Sequence, residues 1–227
     1  MAIVIAILNQ KGGCGKTTTA INLSATLAKQ NRVLVIDLDP QSHTTIGLKV
    51  NPAALKHSIF DVLDVREHKA TFKDVVIEVG ENFYLAPANL YLTSIEQKLA
   101  GKKDRENRMK DELAQVTEDY DFVIIDCPPN FGLLTVNALL SASHLIVPVE
   151  PSVFSREGLK RIQEVAGMLE RKAGHRLEMR YLISIYDRRT AFSRRFADSL
   201  ETEFADKVFA TRIHRSIKFN EAAEAGM

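Results

Sequence analysis

Several things are scarce in this 227-residue sequence, and each scarcity excludes a class of behaviour. There is no excess of charge. Thirty lysines and arginines face 29 aspartates and glutamates, a net of +1, so no global field draws the chain to nucleic acid or membrane, and any such binding needs a local patch. Cysteine is limited to Cys14 and Cys127. Neither has the His or Cys neighbours of a metal site, and two reduced side chains in tight loops fit better than a disulfide or redox pair. No apolar run approaches the roughly 20 residues of a membrane-spanning helix. The opening residues, Met1 to Leu8, lack a basic segment ahead of their apolar run and read as a strand, not a signal peptide. Internal repeats, low-complexity linkers and composition breaks are also missing, so residues 1–227 are expected to form a single domain.

What is present is an alternation of apolar runs with amphipathic segments, the pattern of an α/β fold with a mostly parallel twisted sheet flanked by helices. Strands are expected over residues 3–8, 32–36, 82–86, 122–125, 144–148, 180–185 and 207–211. Helices are expected over 17–29, 58–63, 90–99, 109–116, 133–141, 155–171 and 192–204. The region from about Val50 to Asp119 is the least regular, and its charged stretch at residues 101–108 reads as a solvated helix start.

The loop after the first strand is the richest segment: Asn9-Gln10-Lys11-Gly12-Gly13-Cys14-Gly15-Lys16-Thr17-Thr18. It ends as the phosphate-binding template G-x-x-x-x-G-K-[ST] does, but Gln10 stands at the template's first glycine. Glycines let backbone amides converge on phosphate oxygens, and a helix starting near Thr17 adds its dipole. Lys16 is placed to reach the β and γ phosphates and Thr17 to hold Mg²⁺. Lys11 is a second lysine with no task inside its own site, which points to a phosphate elsewhere and to a nucleotide-dependent dimer.

Carboxylates supply the rest. A buried strand ends in Asp37-Leu38-Asp39-Pro40-Gln41, at the sheet edge where open α/β folds bind ligands. The two aspartates are expected to be aimed differently. Asp39 is assigned to the attacking water and Asp37 to the outer shell of the metal, against the simpler reading of a turn before proline. A second strand ends in Asp126-Cys127-Pro128-Pro129, with Asp126 orienting Mg²⁺ or its waters.

With these residues in place, the sequence resembles the ParA/MinD superfamily of P-loop NTPases with a deviant Walker-A loop, and most of all the Soj-like ParA partition ATPases. Supporting segments are Val147-Pro148-Val149-Glu150, Glu157-Gly158-Leu159, Tyr186-Asp187-Arg188-Arg189-Thr190 and residues 213–226. The resemblance implies ATP and Mg²⁺ as cofactors and a nucleotide site formed by Lys11, Gly12, Gly13, Cys14, Gly15, Lys16, Thr17, Thr18 and Arg215. It implies a metal corner at Thr17, Asp37 and Asp126, and catalysis by Lys11, Lys16 and Asp39. Lys11 matches the signature lysine that crosses a sandwich dimer to the partner's ATP, as an arginine finger does. The sequence departs from the family at Cys14, at His214, where a proline commonly precedes the arginine, and at Ala223. It also stops where the family's terminal helix would follow.

The resemblance further implies non-specific DNA binding by the ATP dimer, with Arg188, Arg189, Arg194, Arg195 and Lys218 as contacts, and Arg212 and Arg215 nearby. Asp198, Glu201 and Glu203 follow at helical spacing, so charge alone allows an ordinary solvated face. The implied partners are a second copy of the chain, DNA, and a ParB-like or cargo-adaptor protein that stimulates slow hydrolysis. The implied location is cytoplasmic and nucleoid-associated. The same cycle could instead position a protein cargo such as a microcompartment or chemoreceptor cluster. A MinD-like membrane ATPase would need a basic amphipathic terminal helix, and the visible end, Asn220 to Met227, is acidic and small. A reductase or cluster-assembly ATPase would need bridging cysteines that are missing.

Overall fold

The computed structural model describes residues 2–64 and 70–225. In chain order the elements are β1 (Ile3–Ile7), α1 (Lys16–Leu27), β2 (Val33–Asp37), α2 (His43–Gly47), α3 (Ile59–Leu63), α4 (Phe72–Val75), β3 (Ile77–Gly80) and β4 (Phe83–Ala86). There follow α5 (Ile95–Lys98), α6 (Arg108–Leu113), β5 (Phe122–Asp126), α7 (Leu133–Ser141), β6 (His144–Val149), α8 (Ser155–Ala173), β7 (Glu178–Ile183), α9 (Ala191–Phe204) and α10 (Lys218–Ala225). The strands form one sheet in the order β3-β4-β2-β5-β1-β6-β7. Every pairing is parallel except β3 with β4. This is the mostly parallel α/β architecture that the alternating apolar runs predict.

The central strands read as unbroken apolar runs because both faces are covered. All five residues of β2 are buried, and successive side chains enter opposite cores. Leu34 and Ile36 join Ala6, Leu8 and Val123 on one face, which α7, α8 and α9 cover with Leu139, Ile162 and Phe196. Val33 and Val35 join Ile7 and Ile124 on the other, where Ala20, Leu23 and Leu27 of α1 close the layer. Truncating a side chain such as Leu34 to alanine would cost about 2–5 kcal/mol, from lost transfer energy and the cavity left behind.

Differences from the sequence expectation are local. No strand forms over residues 207–211. Ala205, at φ 44°, turns the chain into a short 3-10 segment, and Val208 makes only an isolated bridge with Tyr181. β7 stops at Ile183 instead of Ile185, because Ile185 lies at φ 53°, outside any strand conformation. The antiparallel edge strand β3 escapes notice because it has four residues, each only partly buried or exposed. The single helix expected over residues 90–99 begins instead as a 3-10 turn, Leu90–Ser94. α10 forms where no helix is expected, over the helix-favouring run Glu-Ala-Ala-Glu-Ala.

Parallel strands leave all their carboxyl ends on one edge. Four of the five central strands, β1, β2, β5 and β6, deliver the loops described next to that edge.

Candidate functional site

The loop after β1 is fixed from below by Asn9, whose Nδ2 donates to Pro148 O (2.7 Å) and whose Oδ1 accepts from the Lys11 amide (3.0 Å). Gly13 and Gly15 sit at φ 72° and 90°. A Cβ at Gly15 would meet nothing nearer than Ser184 Cβ at 3.8 Å, so the left-handed backbone, not crowding, is what calls for glycine. Gly15 is the N-cap of α1, which turns the free amides of the first helical turn toward the loop and makes an anion site. Ser184, one residue past β7, donates its hydroxyl to Cys14 O (2.7 Å) and pins the loop from the far side.

Burial pushes the thiols of Cys14 and Cys127 above the ordinary range. Both are fully buried and stay protonated at neutral pH, which suits packing and not reactivity.

A cleft of about 710 Å³ opens above the carboxyl edge. One wall is Gly12, Gly13 and residues 15–19. A second is Asp39 and Gln41 from the connection between β2 and α2, with His43 at the start of α2. Pro129 and Glu150 follow β5 and β6, and the remaining wall is Ser184, Ile185, residues 213–216 and Phe219. Lys16 is only 8% exposed. Its Nζ makes one long bond, to Lys11 O (3.3 Å), so its other protons remain for an anion in the cleft.

The corner suited to a cation lies beneath Thr17. Its Oγ1 donates to Asp126 Oδ2 (2.7 Å), and Thr44 Oγ1 donates to the same oxygen (2.8 Å). Asp126 Oδ1 is buried with no partner among the described residues. A donating hydroxyl keeps its lone pairs, and an orphaned carboxylate oxygen is satisfied by a cation or its water. Thr17 and Asp126 therefore fit Mg²⁺, which takes one or two protein ligands and completes its shell with phosphate and water. Among the described residues no group of three His, Cys, Asp or Glu side chains forms a cage that would hold a metal by itself. Burial pushes Asp126 up to about 6, opposed by the two threonine hydroxyls and by Lys16.

Asp37 and Asp39 part company because β2 ends at Asp37 and Asp39 already lies in the turn beyond it; strand alternation alone would put residues two apart on one face. Asp39 lines the cleft, with Oδ1 accepting from the Gln41 amide (2.9 Å). Asp37 does not line it. Its Oδ2 accepts from the amide and hydroxyl of Thr45 (2.8 and 2.7 Å), and its Oδ1 from the Asp39 amide (3.1 Å). This departs from the outer-shell metal role that a strand-end carboxylate suggests, because both oxygens are engaged by the turn that carries Asp39. Burial, with Asp126 beside it in register, pushes Asp37 up to about 7.

Lys11 stands at the rim with its ammonium paired to Glu150 of the same chain. Arg215 lines the cleft beside residues 213, 214 and 216. Ile185, a β-branched residue in the left-handed region, also lines it. It is held there because Tyr186 N bonds Ile213 O (2.9 Å) and Ile213 N bonds Ile183 O (2.8 Å), the kind of strain that gathers at working sites. Thr44, Thr45, Ser184 and Ile185 escape sequence reasoning. The one available signal for the last two is their position just past a parallel strand.

The basic candidates lie away from the cleft, and Arg188, Arg189, Arg194 and Arg195 are all exposed around the start of α9. Arg189 is committed to Asp187 in a two-pronged contact (3.0 and 2.8 Å), which pulls Asp187 down to about 2. Arg194 donates to the Arg188 carbonyl (2.7 Å). Arg188 and Arg195 have no carboxylate partner among the described residues. Arg212 is half-buried between Glu201 (2.5 Å) and the Tyr186 ring, so its charge is engaged in bracing α9. Lys218 is exposed at the start of α10. Among the described residues no helix is long and apolar enough to cross a membrane.

Comparison with known proteins places this arrangement. The family model AAA_31, an AAA domain, matches residues 2–179. The sporulation initiation inhibitor protein Soj of Bacillus subtilis is 36% identical over 229 residues, 100% of this chain and 89% of that protein. The chromosome partitioning protein ParA of Caulobacter vibrioides is 35% identical over 98% of this chain and 84% of its own length. Among solved structures, a cobyrinic acid a,c-diamide synthase from Mycobacterium smegmatis with bound ADP and magnesium superposes with a TM-score of 0.88 at 33% identity, over 99% of this chain and 94% of that one.

Proposed function

Because the chain belongs to the Soj/ParA family of partitioning ATPases, we propose that it is a Mg²⁺–ATP-driven partitioning ATPase whose ATP-bound form is a dimer enclosing two nucleotides. The observation that carries this is the cleft itself, where the phosphate loop and Asp39 converge above the paired Thr17 and Asp126, with Lys11 waiting at the rim.

Each residue has a chemical task. Lys16 and the amides from Gly12 to Thr18 hold the triphosphate. Thr17 and Asp126 hold Mg²⁺, which supplies neutralisation of the phosphate charge that builds as the terminal bond breaks. Asp39 orients the attacking water by accepting a hydrogen bond from one of its O–H groups. Lys11 leaves Glu150 and reaches the partner subunit's ATP, so nucleotide becomes part of the interface. Arg215 and its neighbours, which also line the cleft, receive the base.

The dimer binds DNA without reading sequence, through phosphate contacts from Arg188, Arg194, Arg195 and Lys218. Arg189 contributes less, since Asp187 already neutralises it. A ParB-like or cargo-adaptor partner stimulates hydrolysis and releases the dimer, so the protein cycles between nucleoid and cytoplasm and segregates chromosomal or plasmid DNA. The test is retention on non-specific duplex DNA with ATP, ADP or no nucleotide. Retention with ATP alone supports the cycle, and equal retention in all three conditions, or none, removes it.

A further inference from the structure

Thr44 belongs to no motif, yet it makes a bond on which two loops meet. Asp126 Oδ2 accepts from Thr17 at the start of α1 and from Thr44 in α2, at 2.7 and 2.8 Å. α2 is only five residues long, too short to hold its own shape. It is reached through Ser42, a buried non-glycine residue at φ 57°, which costs backbone strain. Its position must therefore come from tertiary bonds. Two consecutive threonines supply them. Thr45 bonds Asp37 through amide and hydroxyl and accepts from the Ala88 amide (3.0 Å). Thr44 bonds Asp126 alone. The Thr45 clamp rests on groups outside the cleft. The Thr44 bond rests on the carboxylate with an unpartnered oxygen in the cation corner.

We propose that Thr44 is a positioning residue that ties the segment carrying Asp39 to Asp126, so that filling the metal corner fixes Asp39 in the cleft. This rests on the nucleotide reading above, because the corner must be filled by Mg²⁺ brought with a nucleotide. Residues 39, 41 and 43 all line the cleft, and they lie between β2, which is anchored in the sheet, and Thr44. Fixing Thr44 therefore fixes both ends of the span that bears the water-orienting carboxylate.

The test uses Mg²⁺–ADP, so no turnover is involved, and reads amide hydrogen exchange in the full chain. In the parent, Mg²⁺–ADP should slow exchange both in residues 12–19 and in residues 38–47. In Thr44→Val the slowing at 38–47 should fall by about tenfold, the scale of one hydrogen bond to a charged group, while the slowing at 12–19 persists. Thr44→Ser should restore the slowing at 38–47, and Thr44→Ala should repeat the valine result should valine prevent folding. Unchanged slowing at 38–47 in Thr44→Val overturns the proposal. So does loss at both segments in that variant, which would mark Thr44 as a general structural support. Absence of slowing at 12–19 in the parent would instead sink the nucleotide reading, and the proposal with it.

Discussion

The ammonium of Lys11 is paired with the carboxylate of Glu150 in its own chain, joining the phosphate loop to the end of β6. Both side chains are partly exposed, 38% and 29%, so the pair contributes on the order of 0–1 kcal/mol. A contact that weak yields to a triphosphate. Glu150→Gln should therefore raise ATP-dependent self-association by about two- to fivefold, the equivalent of the lost pair. Sedimentation equilibrium with Mg²⁺–ATP reads this directly. Weaker association in Glu150→Gln would mean that the carboxylate serves the interface and is not a holder for Lys11.

Asp39 faces the cleft while Asp37 is tied into the turn beneath it. Asp39→Ala should lower ATP hydrolysis by roughly 10²- to 10⁴-fold, the usual effect of losing a positioned proton acceptor, with the ATP dissociation constant changed only a few-fold. Steady-state phosphate release and calorimetric titration separate the two. Hydrolysis at the parent rate would remove Asp39 from its role.

Among the described residues Arg188 and Arg195 lack carboxylate partners, whereas Arg212 is held by Glu201 and Tyr186. Replacing Arg188 and Arg195 together by glutamine should weaken DNA binding and reduce the slope of log affinity against log salt by about 2 per subunit, or about 4 for the dimer. Arg212→Gln should leave that slope unchanged and lower the melting temperature instead. A salt slope altered equally by both sets would place the DNA face elsewhere on α9.

Asp37 gives a pH signature. Its folded pKa is about 7 against an ordinary 3.8, chiefly through burial. A carboxylate with a raised folded pKa binds its proton more tightly folded than unfolded, so its contribution to stability is full below pH ~4 and is lost as pH rises through about 7. Without nucleotide, the melting temperature should carry a downward component from pH ~4 to ~7 that levels off above it. Asp37→Asn should flatten it, even though the amide meets the Asp39 N–H poorly and lowers stability throughout. An equal slope in both proteins would contradict the assignment.

Much of the fold was legible because its causes are local. β2 and β5 are unbroken apolar runs, and the loop from Gly12 to Thr18 encodes a phosphate site in seven consecutive residues. Asp37 and Asp39 are indeed aimed differently, but the cause is the turn that begins after Asp37, since alternation would have put two residues spaced by two on one face. What stayed hidden depends on distant partners. Thr44 meets Asp126 across 82 positions and Lys11 meets Glu150 across 139, and no periodicity reports such pairs. Arg212 looked like one more surface cation until Glu201 and Tyr186 closed over it. β3 failed for the opposite reason, since an exposed four-residue edge strand carries too little apolar signal.

The central claim is that Lys11 serves the partner's nucleotide and makes ATP the bond between subunits. The most direct measurement is sedimentation velocity of Asp39→Ala, which holds ATP without consuming it, beside Asp39→Ala combined with Lys11→Ala. The account predicts a dimer for the first with Mg²⁺–ATP, a monomer with Mg²⁺–ADP, and a monomer for the second even when ATP is bound. A dimer that persists without Lys11, or that forms equally with ADP, would contradict it.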